Sequence, residues 1–223
     1  MPGKSLLRYS VIACAIVASS GAQAAGGLGL TAKAGTLGLG IEATTSFTDT
    51  LNARLGYQAF TYNTDIDIES TTSGTVKMDT DIDLSNVSLL LDWHAFDGTF
   101  RFSGGIMSNN SKAKASAPVD SYEIGGITYP GIGLDTEVEF KNKPAPYLGI
   151  GWGNAVGKDK RWVFSADLGV LFQGSPDVSL TPTGPGAGLV DPGDVANEEA
   201  RIEDDLKKFQ YYPVASVGIS YHF

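Results

Sequence analysis

The chain has 223 residues, a formal net charge of -9, 28 Gly, 10 Pro and one Cys. Its hydrophobic content of 42% and aromatic content of 10% are too high for a disordered chain, and one Cys excludes a disulfide scaffold or a Cys-built zinc site. The net acidity argues against nucleic-acid binding, because a basic surface is needed to replace the counterions of a phosphate backbone. The length indicates one domain or at most two.

The first residues have the pattern of a secretory signal peptide. Positively charged residues precede an apolar run over residues 9–17 that is too short to span a bilayer as a helix. The motif Ala22-Gln23-Ala24 follows as a cleavage site of the small-x-small type. We therefore expect residues 1–24 to be a signal peptide and residues 25–223 to form the mature domain.

The mature part shows the two-residue period of β-strands rather than long apolar runs. In the last segment, Val217, Ile219 and Tyr221 alternate with Gly218 and Ser220. An alternating last strand that ends in an aromatic residue resembles the signal read by the barrel-assembly machinery of the outer membrane, which is therefore an expected partner. The same alternation occurs in seven segments, at residues 37–42, 51–58, 87–94, 100–106, 147–153, 162–173 and 215–223.

Glycine indicates which face of these strands is buried. The face opposite the large apolar residues is rich in Gly, Ser and charged residues. Gly on a water-exposed strand face weakens a sheet, whereas Gly in a narrow lumen makes room for long side chains. We therefore expect the apolar face to meet lipid and the polar face to line a lumen, with aromatic residues near the strand ends forming a girdle. A soluble sandwich or lipocalin-like barrel is the alternative.

Short turns alternate with long connections, as in outer-membrane barrels. The turns fall at residues 48–50, 97–99 and 157–160, and the long connections at 64–80, 111–137 and 176–210. An even strand count requires one more strand, which we expect from residues 26–34, with a pairing inside 119–133 as the alternative. We predict an all-β fold, an antiparallel transmembrane β-barrel of about eight strands in the outer membrane, with a short helix from Asp194 to Gln210 in the last long connection.

Five charged residues are expected to face the lumen near its periplasmic end. Strands joined by a tight turn are neighbours, so counting back from each turn fixes the height of every residue. These residues are Glu42, Arg54, Asp92, Arg101 and Asp167. The preferred interpretation is a salt-bridged plug that closes the lumen, and the alternative is a gated polar path.

Two histidines are the only side chains suited to act as bases at neutral pH. His94 lies two residues from Asp92 on the same strand face, and His222 lies on the last strand near the same end of the barrel. No recognisable motif places a nucleophile beside them. Hydrogen bonding in the girdle or lumen is therefore preferred over catalysis, and no enzyme activity is expected.

Two features are expected above the membrane. A possible hydrophobic mouth is formed by Phe60, Ile66, Ile68, Ile82 and Leu84. The alternative is that these side chains pack a small core that stiffens the loops. A set of acidic residues could bind calcium or magnesium and bridge to lipopolysaccharide phosphates, although a solvated acidic rim is preferred. The acidic residues are Asp65, Asp67, Glu69, Asp79, Asp81 and Asp83.

Several stretches resemble a family of small proteobacterial outer-membrane proteins. They include LLLDWHAF at residues 89–96, APYLGIGWGN at 145–154 and DLGVLFQGSP at 167–176. The resemblance covers nearly the whole mature chain and implies a barrel without implying an activity. The chain is also similar in architecture to barrels of the OmpA and OmpW types, and architecture alone transfers no functional residue.

The sequence thus predicts a monomeric outer-membrane barrel that needs no cofactor and contacts outer-membrane lipid and lipopolysaccharide. Its expected role is envelope-structural or surface interaction, with a largely closed lumen. One alternative is a narrow channel that admits small hydrophobic molecules through the apolar mouth, and another is a lipid-modifying enzyme.

Overall fold

The computed structural model describes residues 27–70, 74–95, 98–157 and 161–223, with side chains except those of 65–70 and 74–77. The predicted signal peptide at residues 1–24 lies outside the described residues. The strands are β1 (Leu28–Gly35), β2 (Gly38–Ser46), β3 (Leu51–Ser70), β4 (Gly74–Trp93), β5 (Phe100–Asn109), β6 (Lys112–Ile124), β7 (Ile127–Phe140), β8 (Ala145–Trp152), β9 (Trp162–Phe172), β10 (Pro176–Thr183) and β11 (Tyr211–His222). Among the described residues, no helix combines the length and the hydropathy that crossing a membrane requires.

Eight of the strands close into a barrel in the described part of the chain. Their order is β1-β2-β3-β4-β5-β8-β9-β11, neighbouring strands are antiparallel, and β11 pairs with β1 to complete the ring. The predicted antiparallel barrel of about eight strands is confirmed, and β1 is the strand expected from residues 26–34. A barrel of eight strands is just wide enough for its interior to be filled by side chains.

The large apolar side chains of the barrel point outward. Leu39, Leu148, Phe164 and Val217 are 69%, 61%, 80% and 63% exposed, whereas the strand residues next to them turn toward the interior. A soluble barrel has the opposite arrangement, because it must bury its apolar face. The outer surface is thus the apolar band of a membrane barrel, as the glycine pattern predicted.

Aromatic rings pack against each other at the end of the barrel where the chain enters β1. Ring centroids are 5.8 Å apart for Trp93 and Phe102, and 5.5 Å apart for Phe100 and Trp152. Trp162 also contacts the ring of the β11 residue opposite it. Such belts lie at the level of the lipid headgroups, so these rings mark the periplasmic boundary of the apolar band.

The other end of the barrel continues into an outer sheet, which consists of β6, β7, β10, residues 61–70 of β3 and residues 74–85 of β4. β4 pairs with β6, β6 with β7, and β7 with β10. The alternative pairing inside 119–133 therefore exists as well, in the hairpin between β6 and β7. Its turn contains Gly125 and Gly126 at φ values of +60° and +86°, which suit the two-residue hairpin turn that requires positive φ.

One helix, α1 (Pro192–Leu206), lies along β10 at an edge of the outer sheet. It begins before the predicted start at Asp194, because the Asp191 side chain accepts a hydrogen bond from the Gly193 N–H and Pro192 is suited to the first helical position. A 3-10 helix over Lys207–Gln210 completes the predicted stretch. Two backbone N–H groups of β10, those of Val178 and Leu180, donate to Glu203 and Glu199 at 3.2 Å and 2.8 Å. The helix thus covers this sheet edge.

Candidate functional site

Six charged side chains, one from each of six barrel strands, meet inside the lumen. They are Lys33 of β1, Glu42 of β2, Arg54 of β3, Asp92 of β4, Arg101 of β5 and Asp167 of β9, and each side chain is 5% exposed or less. Three are cations and three are anions, so the cluster is formally neutral. We call these six residues the lumen network.

Arg54 lies at the centre of the lumen network. Its Nε and Nη2 atoms are 2.6 Å and 2.9 Å from the two carboxylate oxygens of Asp92, which is the paired geometry that guanidinium favours. Its Nη1 atom lies 3.2 Å from Glu42 and 3.4 Å from Asp167. Ser103 accepts from Nη2 at 3.0 Å and donates to Asp92 at 2.6 Å. One guanidinium thereby links three carboxylates from three strands.

Two further cations complete the contacts of Asp167. Lys33 Nζ is 3.1 Å from Asp167 and 3.2 Å from Glu42, and Arg101 Nη2 is 2.6 Å from Asp167. Arg101 also lies 3.4 Å from Asp92 and donates to the backbone carbonyl of Gly153. Every carboxylate of the network therefore contacts at least two cations, which offsets the cost of removing these charges from water.

The structure brings together all five charged residues that the sequence placed in the lumen, and it adds one charged and one hydroxyl residue that the sequence did not predict there. Glu42 contacts Arg54 and Asp92 contacts Arg101, as counting from the turns predicted. The missed residues are Lys33 and Ser103. Lys33 is on β1, whose alternation of Thr31, Lys33 and Gly35 was too short and too glycine-rich to assign a face from sequence.

An apolar layer lies on the extracellular side of the lumen network. Leu90 precedes Asp92 by two residues in the descending strand β4, and Leu171 follows Asp167 by four residues in the ascending strand β9, so both lie above the charges. The buried members of this layer are Leu37, Leu90, Met107, Ala145, Tyr147, Leu171 and Val214. The layer separates the charged cluster from the extracellular end of the lumen.

Lumen glycines make the room that the long side chains occupy. A Cβ atom at Gly149 or Gly169 would lie 2.5 Å or 2.4 Å from the Tyr147 hydroxyl, closer than real contacts allow. A Cβ atom at Gly151 would lie 2.7 Å from the Asp167 carboxylate and 2.9 Å from Arg101. The glycine-rich strand faces that indicated a lumen in the sequence are thus the faces against which the charges and the tyrosine pack.

A small polar cavity lies below the lumen network. Its volume is about 10 Å³, which is room for about one water molecule, and its lining includes Thr44, Asn52, His94 and Ser220. His94 is 2% exposed, so it is buried in the wall of this cavity. The second predicted base, His222, lies against the backbone of Gly27, just before β1.

The predicted hydrophobic mouth is described in part. Phe60 and Tyr62 stack on one face of β3 just above the barrel rim, with ring centroids 6.3 Å apart. Leu84 and Ile82 lie directly opposite them on β4 and are half-buried. The side chains of the other two predicted members, Ile66 and Ile68, lie outside the described residues.

The predicted acidic site is also described in part, since the side chains of Asp65, Asp67 and Glu69 lie outside the described residues. Asp79, Asp81 and Asp83 are exposed on β4. Asp81 accepts a hydrogen bond from Asn63, and residues 81 and 83 pair in register with the two Lys residues at 114 and 112. Among the side chains that the structure describes, no group of three acidic, His or Cys residues could hold a metal ion.

Ion pairs on the outer sheet are exposed to solvent. Hydrogen bonds from Lys112 and Lys143 lower the pKa of Glu139 from its ordinary value of 4.5 to about 2. Hydrogen bonds to Glu139 and Glu137 raise the pKa of Lys112 to about 12. These shifts come from direct pairing on a wet surface, so they report local contacts rather than a buried site.

Comparisons with solved structures give the same architecture. The chain is similar to the crystal structure of CarO2 from Acinetobacter baumannii, with a TM-score of 0.58 and 20% identity over 88% of this chain and 98% of that one. It is equally similar to CarO from Acinetobacter baumannii, with a TM-score of 0.58 and 21% identity over 91% of this chain and 100% of that one. A scan of protein-family models and a search of curated proteins found no match. With the apolar outer band and the aromatic belt, this likeness identifies the fold as that of an outer-membrane β-barrel.

Proposed function

We propose that this protein resides in the bacterial outer membrane as a monomeric barrel whose lumen is held shut, and that it has an envelope-structural or surface-interaction role. The lumen network is the observation that carries the proposal. It joins six strands of the wall through one cluster of three cations and three anions. To open a pore, these ion pairs would have to separate and become hydrated while the ring of strands stayed intact.

The apolar layer supports closure together with the lumen network, whose ion pairs hold in place the strands that carry Leu90 and Leu171. Tyr147 and Leu171 are 2% and 0% exposed, so they are packed on all sides at the level above the lumen network. A solute that entered from outside would have to displace this layer before it reached the charges. Closely packed interiors resist such displacement because neighbouring side chains have no void into which they can move.

We also propose that the two histidines have no catalytic role. His94 is 2% exposed and lines a cavity with room for about one water molecule. A base that acts on a lipid must reach the reacting proton within hydrogen-bond distance. Incubation of the purified protein with outer-membrane lipid should give no hydrolysis or acyl transfer, and activity that His94→Ala abolishes would contradict this assignment.

The membrane placement is tested by fractionation and by heat-modifiability of gel migration. A closed barrel resists unfolding in detergent until it is boiled, so boiled and unboiled samples should migrate differently, with recovery in the outer-membrane fraction. Lipid and lipopolysaccharide then surround the apolar band, and the last strand engages the assembly machinery. Recovery in soluble periplasm without a migration shift would overturn the proposal in favour of a secreted binder.

A second candidate function is the passage of small hydrophobic molecules through the hydrophobic mouth. The observation that favours it is the exposed stack of Phe60 and Tyr62 beside Leu84. Uptake of a small neutral aromatic dye into liposomes that contain the protein tests it, with Phe60→Ala as the variant and Phe164→Ala, on the lipid-facing band, as the matched control. Dye uptake that Phe60→Ala alone reduces would favour passage over a closed lumen.

A further inference from the structure

The outer sheet has two edges, and within the described residues only one of them is covered. The β10 edge is covered by α1, whose glutamates accept two of its backbone N–H groups. At the other edge, β3 pairs with β2 only as far as Leu39 opposite Ala59, and then continues to Ser70 with β4 on one side. Thr61 and Asn63 are exposed there. We call residues 61–70 of β3 the open edge.

The hydrogen-bond alternation shows which backbone groups of the open edge lack a strand partner. At the end of the β3–β4 pair, the His94 N–H donates to the carbonyl of Thr50 at 2.8 Å. At the end of the β2–β3 pair, the Phe47 N–H donates to the carbonyl of Leu51 at 2.9 Å. The direction alternates with each residue of an antiparallel strand, and the register between β3 and β4 runs without a shift from Leu51 to Ser70. The N–H and C=O groups of the odd-numbered residues 63, 65, 67 and 69 therefore point away from β4.

The two faces beside the open edge differ in chemistry. Asp79, Asp81 and Asp83 are exposed on one face of β4, where residues 81 and 83 pair in register with Lys114 and Lys112 of β6. The same face of the edge strand has three more acidic residues in its sequence. The opposite face carries the stacked rings of Phe60 and Tyr62, which are 46% and 50% exposed. A strand added at this edge would lie next to β3. Its alternate side chains would lie beside the β3 face of Thr61 and Asn63, to which the sequence adds acidic residues at 65, 67 and 69, and beside the face of Phe60 and Tyr62.

We propose that the open edge binds an extended peptide segment of a partner protein, with basic residues at alternate positions and apolar residues between them. Strand addition gives affinity through the backbone, and alternate side chains give specificity. The charge pattern favours a basic segment over a second copy of this chain, because pairing two acidic edges brings like charges together. A basic peptide segment would thus be the partner in the surface-interaction role. The inference rests on that proposed function, because the open edge must lie outside the cell to meet such a partner.

The test measures binding of a fluorescent peptide of alternating Lys and Val to the purified full chain in detergent. Asn63→Pro removes one outward N–H and leaves the ladder to β4 intact, because Pro is tolerated where the N–H of an edge strand faces solvent. Asn63→Ala is the matched control, since both variants lose the side-chain bond to Asp81 and only one loses the N–H. We expect Asn63→Ala to bind like the wild type and Asn63→Pro to bind about tenfold more weakly.

Each other outcome has a defined meaning. Equal binding by Asn63→Pro and Asn63→Ala would overturn strand addition and leave only attraction between charges. Self-association that Asn63→Pro abolishes would overturn the peptide in favour of a second copy. Absence of peptide binding by a protein that is heat-modifiable and recovered in the outer membrane would overturn the open-edge proposal alone, whereas loss of heat-modifiability in the wild type would overturn the barrel itself.

Discussion

Ion pairs occur both in the lumen and on the outer sheet, and their surroundings give them different energetic weights. In the lumen, Arg54 and Asp92 are 3% and 2% exposed. On the outer sheet, Lys112 and Glu137 are 44% and 34% exposed although their nitrogen and oxygen atoms are only 3.0 Å apart. Similar distances thus describe contacts of unequal importance.

The difference arises from what remains after one partner is lost. An exposed charge that loses its partner is solvated by water, and salt already screens the pair. A lumen charge that loses its partner stays buried, because the apolar layer and the barrel wall exclude water. The lumen pairs are therefore hard to remove singly even where the network as a whole adds little net stability.

The largest effect is expected from removing the centre of the lumen network. Arg54→Ala leaves the buried carboxylates of Asp92, Glu42 and Asp167 with only the cations of Lys33 and Arg101. One negative charge is then uncompensated, so we expect a loss of about 3–5 kcal/mol in the free energy of unfolding. Unfolding by urea from lipid vesicles, followed by Trp fluorescence, measures it. The matched control is Lys112→Ala on the outer sheet, and equal losses in the two variants would contradict the comparison.

Filling a lumen glycine should cost less. Gly169→Ala places a methyl group against the Tyr147 ring and hydroxyl, so we expect a loss of about 1–3 kcal/mol in the same unfolding measurement. Gly104→Ala is the control, because its nearest heavy atom would be 3.4 Å away, on Leu148. A Gly169→Ala variant as stable as Gly104→Ala would show that the lumen is not packed as described.

Uncovering the β10 edge should have a smaller and local effect. Glu199→Ala removes the acceptor of the Leu180 N–H, which we expect to cost about 1 kcal/mol of local protection. Hydrogen exchange at the Leu180 amide measures this protection. The control is Glu198→Ala, since Glu198 pairs with Arg201 on the same helix. Unchanged exchange at Leu180 would mean that α1 does not cover this edge.

The smallest effect is expected from the exposed pairs of the outer sheet. The pKa of Glu139 is lowered to about 2, so the stabilisation it provides is present above its ordinary value of 4.5 and is lost as the pH falls through about 2. Lys112→Ala should raise this pKa toward 4.5 with little change in the free energy of unfolding, because water solvates the exposed carboxylate. An NMR titration of the Glu139 carboxyl measures the shift, and a pKa that stays near 2 would contradict the assigned contacts.

The barrel and most of its lumen could be predicted from the sequence because membrane strands alternate strictly. One face meets lipid and the other lines the lumen, so the period fixes the direction of Arg54 and Asp167, and counting from tight turns fixes their height. Lys33 was missed because its short strand consists largely of small residues whose pattern does not distinguish the faces.

The outer sheet was predicted only in part, for a physical reason. The facing extensions of β3 and β4 were expected, whereas β6 and β10 were assigned to long connections. In β6 (Lys112–Ile124), small residues alternate with charged ones, and few large apolar side chains mark a buried face. The pairing of these strands therefore depends on tertiary contacts with β4 and β7, which sequence periodicity does not report.

Single-channel recording in planar lipid bilayers tests most directly the central claim that the lumen network closes the barrel. The account predicts no stable conductance for the wild type and for Lys112→Ala, and openings for Arg54→Ala and Asp92→Ala, provided that each variant remains heat-modifiable. A steady conductance of the wild type that neither Arg54→Ala nor Asp92→Ala alters would contradict it.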